Sequence, residues 1–309
     1  MIHFSSVSAR GRYAAGMPRA LLRKVSLTWQ QGVLAVIGSQ ADGTSLLLDV
    51  AAGVTRVREG QVLVMGQSPR EARSLVAYVP RQPTLPDALR VDEVCELARA
   101  IRGEPATLAS ERLLPLGIES LAKRKTSSLA PEETKAVALA IAVTSRAPVL
   151  LVDEPLSGIA PQAASRAAAA IRDRAASSCV VLTTASVRDA TNLADQLSLV
   201  TQGAVMPLSP AFAHVGRAGA LVRVVVTGQG IGELAHALAS EAGVATVIQD
   251  SFVLAVAGPS LLDLAAAVAR ASVQTRVNLD AIEPAVLPLE AVRASLTLPL
   301  GPSPQQAPS

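Results

Sequence analysis

Two apolar runs dominate the first two thirds of the chain. Residues 33–37 precede a turn that contains glycine, and residues 148–152 end at two adjacent carboxylates. Continuous apolar segments of about 4–8 residues are typical of strands that are buried on both faces. The glycine turn is followed by 46–50, which reads as the start of a helix. The pattern predicts an α/β fold with a buried sheet.

A second set of elements begins after residue 203. It consists of strand 221–226, helix 232–242, strands 244–248 and 252–256, helix 261–271 and a last strand near 277–279. This β-α-β-β-α-β order predicts a small α+β ferredoxin-like domain. With 309 residues the chain exceeds the usual size of one domain. We therefore expect domains at 1–215 and 220–298, and a disordered tail rich in Pro, Gln and Ser at 299–309.

Composition excludes some classes of function. The formal net charge is +3 and aromatic residues make up 2% of the chain, which argues against a nucleic-acid partner. Charged residues or proline interrupt every apolar stretch before the ~18 residues needed to span a bilayer. The first residues lack the pattern of a signal peptide, so we expect a cytoplasmic protein. Cys95 and Cys179 are expected to be buried thiols rather than a disulfide.

The two apolar runs lead into the segments that carry candidate chemistry. Residues 38–45 form a strand-turn-helix junction like a phosphate-binding loop, but the pattern G-x-x-x-x-G-K-[ST] requires lysine where Thr44 stands. Asp153 and Glu154 follow the second run, at the sheet edge where α/β proteins bind ligands. Taken alone, an acid pair after a strand is equally consistent with a helix cap and a solvated neighbour.

The order of these segments resembles the ATP-binding cassette ATPases that drive membrane transporters, over about 13–203. Between the loop and the acids lie Val76–Gln82, similar to the family's glutamine loop, and the helix-like 137–140 after a degenerate signature. Ser157–Pro161 and the strand 180–185 follow in family order. The resemblance implies a P-loop NTPase cassette, with a RecA-like mixed sheet and a helical subdomain at about 84–140.

The resemblance also implies ATP and Mg²⁺ as cofactors and assigns roles to residues. Tyr13 would stack on adenine, Asp153 and Ser45 would bind the metal, Glu154 would activate water, and Gln82 stands one residue late for the metal-contacting glutamine. The phosphate loop itself comprises Gly38, Ser39, Gln40, Ala41, Asp42, Gly43, Thr44 and Ser45.

Several family residues are replaced in this chain. Thr44 stands for the loop lysine, Ala41 for a loop glycine and Arg81 for the glutamine. Only Leu129 of the signature remains, and Ala185 stands for the switch histidine. Since phosphoryl transfer is catalysed by positioning and charge stabilisation, we favour a weak-binding or hydrolysis-deficient pseudo-ATPase that serves a permease as scaffold or regulator. The alternative is a working export ATPase, which the retained Ser45, Asp153 and Glu154 favour.

Cassettes of this family pair head to tail and dock on membrane proteins. The resemblance therefore implies a multi-pass permease and a second cassette as partners, in a homodimer or a heterodimer on the inner face of the cell membrane. Residues 84–127 would form the docking surface. The motif at 288–292 is similar to the Leu-Glu helix of drug- and lipid-exporting cassettes. A role on ribosomes or in DNA repair is disfavoured, because paired cassettes and long basic inserts are absent from the sequence.

Overall fold

A computed structural model describes residues 1–11, 20–208, 220–226, 230–250 and 253–284. The chain divides into two compact units. The first comprises Met1–Ala185 with Asp189–Pro210, and the second comprises Ser186–Arg188 with Ala211–Ser309. No helix in the described ranges is long and apolar enough to cross a membrane.

The first unit contains two sheets and a group of helices. Its strands are β1 Ile2–Arg10, β2 Leu21–Trp29, β3 Gly32–Ile37, β4 Glu59–Val64, β5 Val76–Val79, β6 Val149–Asp153, β7 Cys179–Thr184, β8 Gln196–Thr201 and β9 Ala204–Pro207. Its helices are α1 Thr44–Ala51, α2 Val91–Ile101, α3 Ala109–Leu113, α4 Pro131–Val143 and α5 Pro161–Ala175. A further helix, α6 Val187–Leu193, bridges the boundary in sequence.

The larger sheet places the candidate site. Its order is β5-β6-β7-β3-β8-β9, and all neighbours are parallel except β8 and β9. Every residue of β6 and β7 is buried, as the apolar runs predict. Ile37 pairs with Thr184 and Asp153 pairs with Thr183, so β3, β6 and β7 end at one edge. The predicted mixed sheet is confirmed.

The segment between β5 and β6 is helical. Helix α2 buries Val91, Val94 and Cys95 on one face. A buried ion pair joins Glu104 to Arg112 in α3, and the Glu104 carboxylate also accepts the Arg146 backbone N–H at 2.8 Å. Both cysteines are free and buried, as expected.

The second unit is a four-stranded sheet with two helices. Its elements are β10 Ala220–Val226, α7 Ile231–Ala239, β11 Thr246–Asp250, β12 Val253–Gly258, α8 Leu261–Thr275 and β13 Leu279–Pro284. The antiparallel order β11-β12-β10-β13 is that of a β-α-β-β-α-β ferredoxin-like unit, which confirms the sequence prediction. Its core includes Val224, Leu254 and Leu264. The motif 288–292 and the tail 299–309 lie outside the described residues.

Candidate functional site

Two glycines shape the loop between β3 and α1. A Cβ on Gly38 would come within 2.8 Å of the Val200 carbonyl oxygen. Gly43 has φ of +105°, and a Cβ there would lie 2.7 Å from the Leu21 carbonyl oxygen. At Gly38 the close approach alone requires glycine, whereas at Gly43 both the close approach and the left-handed backbone require it. The loop therefore keeps the close backbone turn at the start of a helix that phosphate binding requires.

The loop is closed by its own hydrogen bonds. The Asp42 carboxylate accepts the Ser39 backbone N–H at 3.0 Å and contacts the Ser39 hydroxyl, while the Gly43 N–H donates to the Gln40 carbonyl at 3.1 Å. Gln40, Ala41 and Asp42 form a single 3-10 turn. Several amides that could face an anion are thus engaged within the loop, and Asp42 adds a negative charge to it.

Thr44 and Ser45 begin helix α1 and differ in their surroundings. Thr44 is 2% exposed, and its hydroxyl donates to the Ser39 carbonyl at 3.1 Å. The side chain at the lysine position therefore turns inward and carries no charge. The buried Ser45 hydroxyl has no hydrogen-bond partner in the described part of the chain. An orphaned buried oxygen beside a helix N-terminus fits a missing ligand.

The two acids at the end of β6 are held differently. Asp153 is 1% exposed, and one of its carboxylate oxygens accepts the Thr183 hydroxyl at 2.6 Å. Glu154 is 7% exposed, and its carboxylate accepts the backbone N–H of Ala185 at 3.0 Å. Burial raises the pKa of Glu154, although this hydrogen bond and the positive charge of Arg81 oppose the rise. Glu154, which would activate water, is therefore hydrogen-bonded to the backbone of Ala185, the residue at the position of the switch histidine.

Lys135 of α4 is a site residue that the sequence interpretation missed. Its ammonium donates to the carbonyl oxygens of Glu154 at 2.6 Å and Ser157 at 2.7 Å. Glu154 has φ of +54°, an uncommon conformation outside glycine, so Lys135 braces a strained turn. Burial lowers the pKa of Lys135. The available signal was a lysine in the second turn of a helix whose following residues are all apolar, where burial of the charge without a partner would be costly.

Arg81 follows β5, the strand beside the acid strand. Val79 pairs in parallel with Val152, so Arg81 and Glu154 each lie two residues beyond a paired position. Burial raises the pKa of Glu154 and lowers the pKa of Lys135, and the positive charge of Arg81 opposes the first shift and adds to the second. Gln82 is exposed next to Arg81, one residue further along the loop.

The remaining predicted positions fall into two groups. Leu129 and Ala130 precede α4. The Glu133 carboxylate in the first turn of α4 accepts the Ala130 backbone N–H at 2.9 Å. A capped helix start therefore stands where the family signature has glycines. Tyr13 lies outside the described residues. The structure thus brings the loop, the two acids and Arg81 to one edge of the larger sheet.

The chemistry of this edge fits a nucleotide phosphate better than it fits a metal. The glycine turn, the α1 N-terminus and the Ser45 hydroxyl suit an anion. Mg²⁺ requires several oxygen ligands. Ser45 and Asp153 supply oxygens, but Arg81 places a cation where the family resemblance calls for a metal-contacting glutamine. In the parts of the chain that the structure covers, no cluster of three or more His, Cys, Asp or Glu could hold a metal. No catalytic role is assigned to a metal at this site.

Known families and proteins with similar sequences are ABC transporters and their ATP-binding proteins. Residues 22–157 match the family described as ABC transporter. A putative ABC transporter ATP-binding protein of Streptomyces avermitilis is 34% identical over 215 residues, which are 65% of this chain and 36% of the relative. The thiamine import ATP-binding protein ThiQ of a Ruegeria species is 28% identical over 58% of this chain and 82% of its own length. This chain spans about a third of the length of the Streptomyces relative.

Solved structures agree in fold. The ATP-binding subunit of an ABC transporter superposes with a TM-score of 0.59 and 22% identity, covering 68% of this chain and 91% of its own. A dimeric post-hydrolysis state of an ATP-binding cassette bound to ADP and Pi has a TM-score of 0.59 and 19% identity, covering 66% and 96% of the two chains. These likenesses establish the P-loop cassette fold of the first unit.

Proposed function

We propose that the chain is an ATP-binding subunit of the ABC transporter family, which its match over residues 22–157 supports, and that it binds nucleotide weakly, hydrolyses it at a rate near background, and acts as scaffold or regulator of a membrane permease. The nucleotide contacts we propose are the loop 38–45, Gln82 and, for adenine, Tyr13. Ser45 and Asp153 would contact any Mg²⁺ that accompanies the nucleotide. Glu154 is the residue proposed to act on water in the alternative, active form.

The loop carries this proposal. The Thr44 side chain is buried against the Ser39 carbonyl at the place where the family has a lysine. Removal of one preorganised charge-stabilising donor typically lowers a rate by about 10²–10³. Here the loop lysine and the switch histidine are both replaced, and the loop contains the Asp42 carboxylate instead. Electrostatic stabilisation of a γ-phosphate would therefore be largely lost.

The acid pair supports the same conclusion. One oxygen of the Glu154 carboxylate accepts the Ala185 backbone N–H at 3.0 Å, and this hydrogen bond opposes the rise in pKa that burial causes. A carboxylate tied to backbone in this way is less available as a base for water. The alternative function, an active ATPase, is favoured by the orphaned Ser45 hydroxyl and by the two intact acids, which suit a family ATP site.

The helical segment supports docking on a membrane partner. Four large apolar side chains of this segment are exposed, namely Leu97, Ile101, Leu108 and Leu114, at 41%, 75%, 67% and 59%. Leu97 and Ile101 lie four residues apart on α2 and share one face. Contiguous exposed apolar side chains mark interaction surfaces. We assign 84–127 to contact with the permease on the inner membrane face, with a second cassette completing the complex.

The class of transporter belongs to the same proposal. Relatives include a mouse protein named as an ABC-type organic anion transporter, 28% identical over 59% of this chain and 12% of its own length. The second unit is an accessory domain after the cassette, as the resemblance to drug and lipid exporters implies. We propose an export complex on the resemblance of the C-terminal region to drug and lipid exporters, and the named relatives include both an organic anion transporter and a thiamine import protein.

Steady-state turnover tests the proposal. Purified wild type and Glu154→Gln should both release phosphate at rates close to the protein-free control, while a fluorescent ATP analogue shows saturable binding to each. Robust turnover by wild type that Glu154→Gln abolishes would establish the active alternative. Absence of saturable binding would contradict the nucleotide-binding part.

A further inference from the structure

Arg81 places a positive charge where the family resemblance calls for a metal-contacting glutamine. Arg81 follows β5 and Glu154 follows β6, in parallel strands whose register places the two residues at equivalent positions. Arg81 is exposed, and within the described ranges its guanidinium makes no side-chain hydrogen bond or ion pair. Arginine stays charged at all working pH values and presents five donors in a fork that matches phosphate oxygens.

The charges around the acids are already balanced. Asp153 and Glu154 supply two carboxylates, and Lys135 and Arg81 supply two cations on the same edge of the sheet. Lys135 is fixed by two carbonyl oxygens, so its charge stays beside Glu154. Arg81 acts on Glu154 more strongly than Asp153 or Lys135 does. A divalent cation entering here would meet two positive charges rather than a surplus of negative charge.

The oxygens left for a metal are few. One oxygen of Asp153 accepts the Thr183 hydroxyl at 2.6 Å, and the Glu154 carboxylate accepts the Ala185 N–H at 3.0 Å. Mg²⁺ demands near-ideal octahedral coordination and gives up water reluctantly. A phosphate group, in contrast, can be received by a guanidinium without any rearrangement of the acids.

We infer that Arg81 takes over the part of the metal, so that this site binds the polyphosphate of a nucleotide without Mg²⁺. The inference rests on the proposed nucleotide binding and specifies the form of the ligand. In this arrangement Arg81 contacts the terminal phosphate from the side of β5, and the loop 38–45 contacts it from the side of β3. Mg²⁺ adds little, because the positive charges of Lys135 and Arg81 already lie beside Asp153 and Glu154.

The test compares binding of a fluorescent ATP analogue in excess Mg²⁺ and in EDTA. Wild type should show dissociation constants within about threefold in the two buffers. Arg81→Gln, which restores an amide at this position, should bind at least about 10-fold more weakly in EDTA than in Mg²⁺, the range of one charge-assisted contact. Arg81→Lys keeps a charge and should stay insensitive to EDTA.

Arg73→Gln is the matched control. Arg73 is exposed near the amino end of β5, so the substitution removes the same charge at the opposite end of the strand. It should bind like wild type in both buffers. Thermal melting confirms that each variant is folded.

The outcomes separate this inference from the proposed function. Wild type that loses 10-fold or more in EDTA would overturn the inference while leaving nucleotide binding intact. An Arg81→Gln variant as insensitive to EDTA as wild type would also overturn it. Absence of saturable binding in either buffer would contradict the proposed function itself and the inference with it.

Discussion

Replacing Thr44 by lysine should restore much of the affinity for Mg-ATP. The Thr44 hydroxyl donates to the Ser39 carbonyl at 3.1 Å, which closes the loop on itself. Lysine removes that bond and places an ammonium at the helix start, while Gly38 and Gly43 keep the backbone turn. A hydrogen bond to a charged group is worth about 1.5–3 kcal/mol, which corresponds to about 10- to 150-fold in the dissociation constant.

The internal hydrogen bonds of the loop set the lower end of this range. An ammonium must draw the loop away from the bond between Asp42 and Ser39, at 3.0 Å, and Asp42 partly offsets the new positive charge. We therefore expect a gain of about 10-fold, near the weaker limit for one charge-assisted contact. The assay is titration with a fluorescent ATP analogue in Mg²⁺.

Thr44→Met provides the control, because it has a long unbranched side chain without charge. It should lose the bond to the Ser39 carbonyl and gain no affinity. A folded Thr44→Lys variant that binds the analogue no more tightly than wild type would show that the loop is not shaped for phosphate.

Three further predictions concern the surface, the acid pair and the core. Asp87→Lys, a reversal at an exposed position in the proposed docking segment, should release the protein from membranes containing its permease without lowering its melting temperature; membrane retention of the folded variant would exclude this surface. Burial raises the pKa of Glu154, so its ionised form costs stability above that pKa; Glu154→Gln should melt at a higher temperature than wild type at pH 7.5, with a difference that shrinks toward pH 4. A lower melting temperature at pH 7.5 would contradict this. Glu104→Gln leaves Arg112 buried without its ion pair and should lower the free energy of unfolding in urea by about 3 kcal/mol, whereas the exposed Glu96→Gln, which also loses an arginine partner, should change it little; equal effects would contradict it.

The sequence predicts the fold well where local pattern and chain order agree. The apolar runs identify β3 and β6 because strands buried on both faces leave little room for polar residues. The β-α-β-β-α-β order of the second unit is likewise visible from strand and helix lengths alone. Element ends shift by a few residues; helix 261–271 extends to Thr275, because Ala271 continues the buried face and Arg276 then adopts a left-handed φ of 55°.

The site is less predictable because it depends on contacts between distant segments. Asp153 and Glu154 are found from the end of one strand, but the bond from Ala185 to Glu154 joins two strands and has no local signature. The same holds for Lys135, which reaches Glu154 across 19 positions of the chain. Sequence comparison with a family pattern shows which groups are replaced. Only the fold shows that Thr44 is buried and that its loop closes on itself.

Single-turnover hydrolysis shows whether the protein cleaves ATP at all, because it isolates the chemical step from product release. Protein in excess over radiolabelled ATP, at a concentration above the measured dissociation constant, is followed in parallel for wild type and Glu154→Gln. For a hydrolysis-deficient protein, the two time courses should coincide and stay close to the protein-free control. A fast burst of phosphate formation by wild type, absent from Glu154→Gln, would contradict this deficiency.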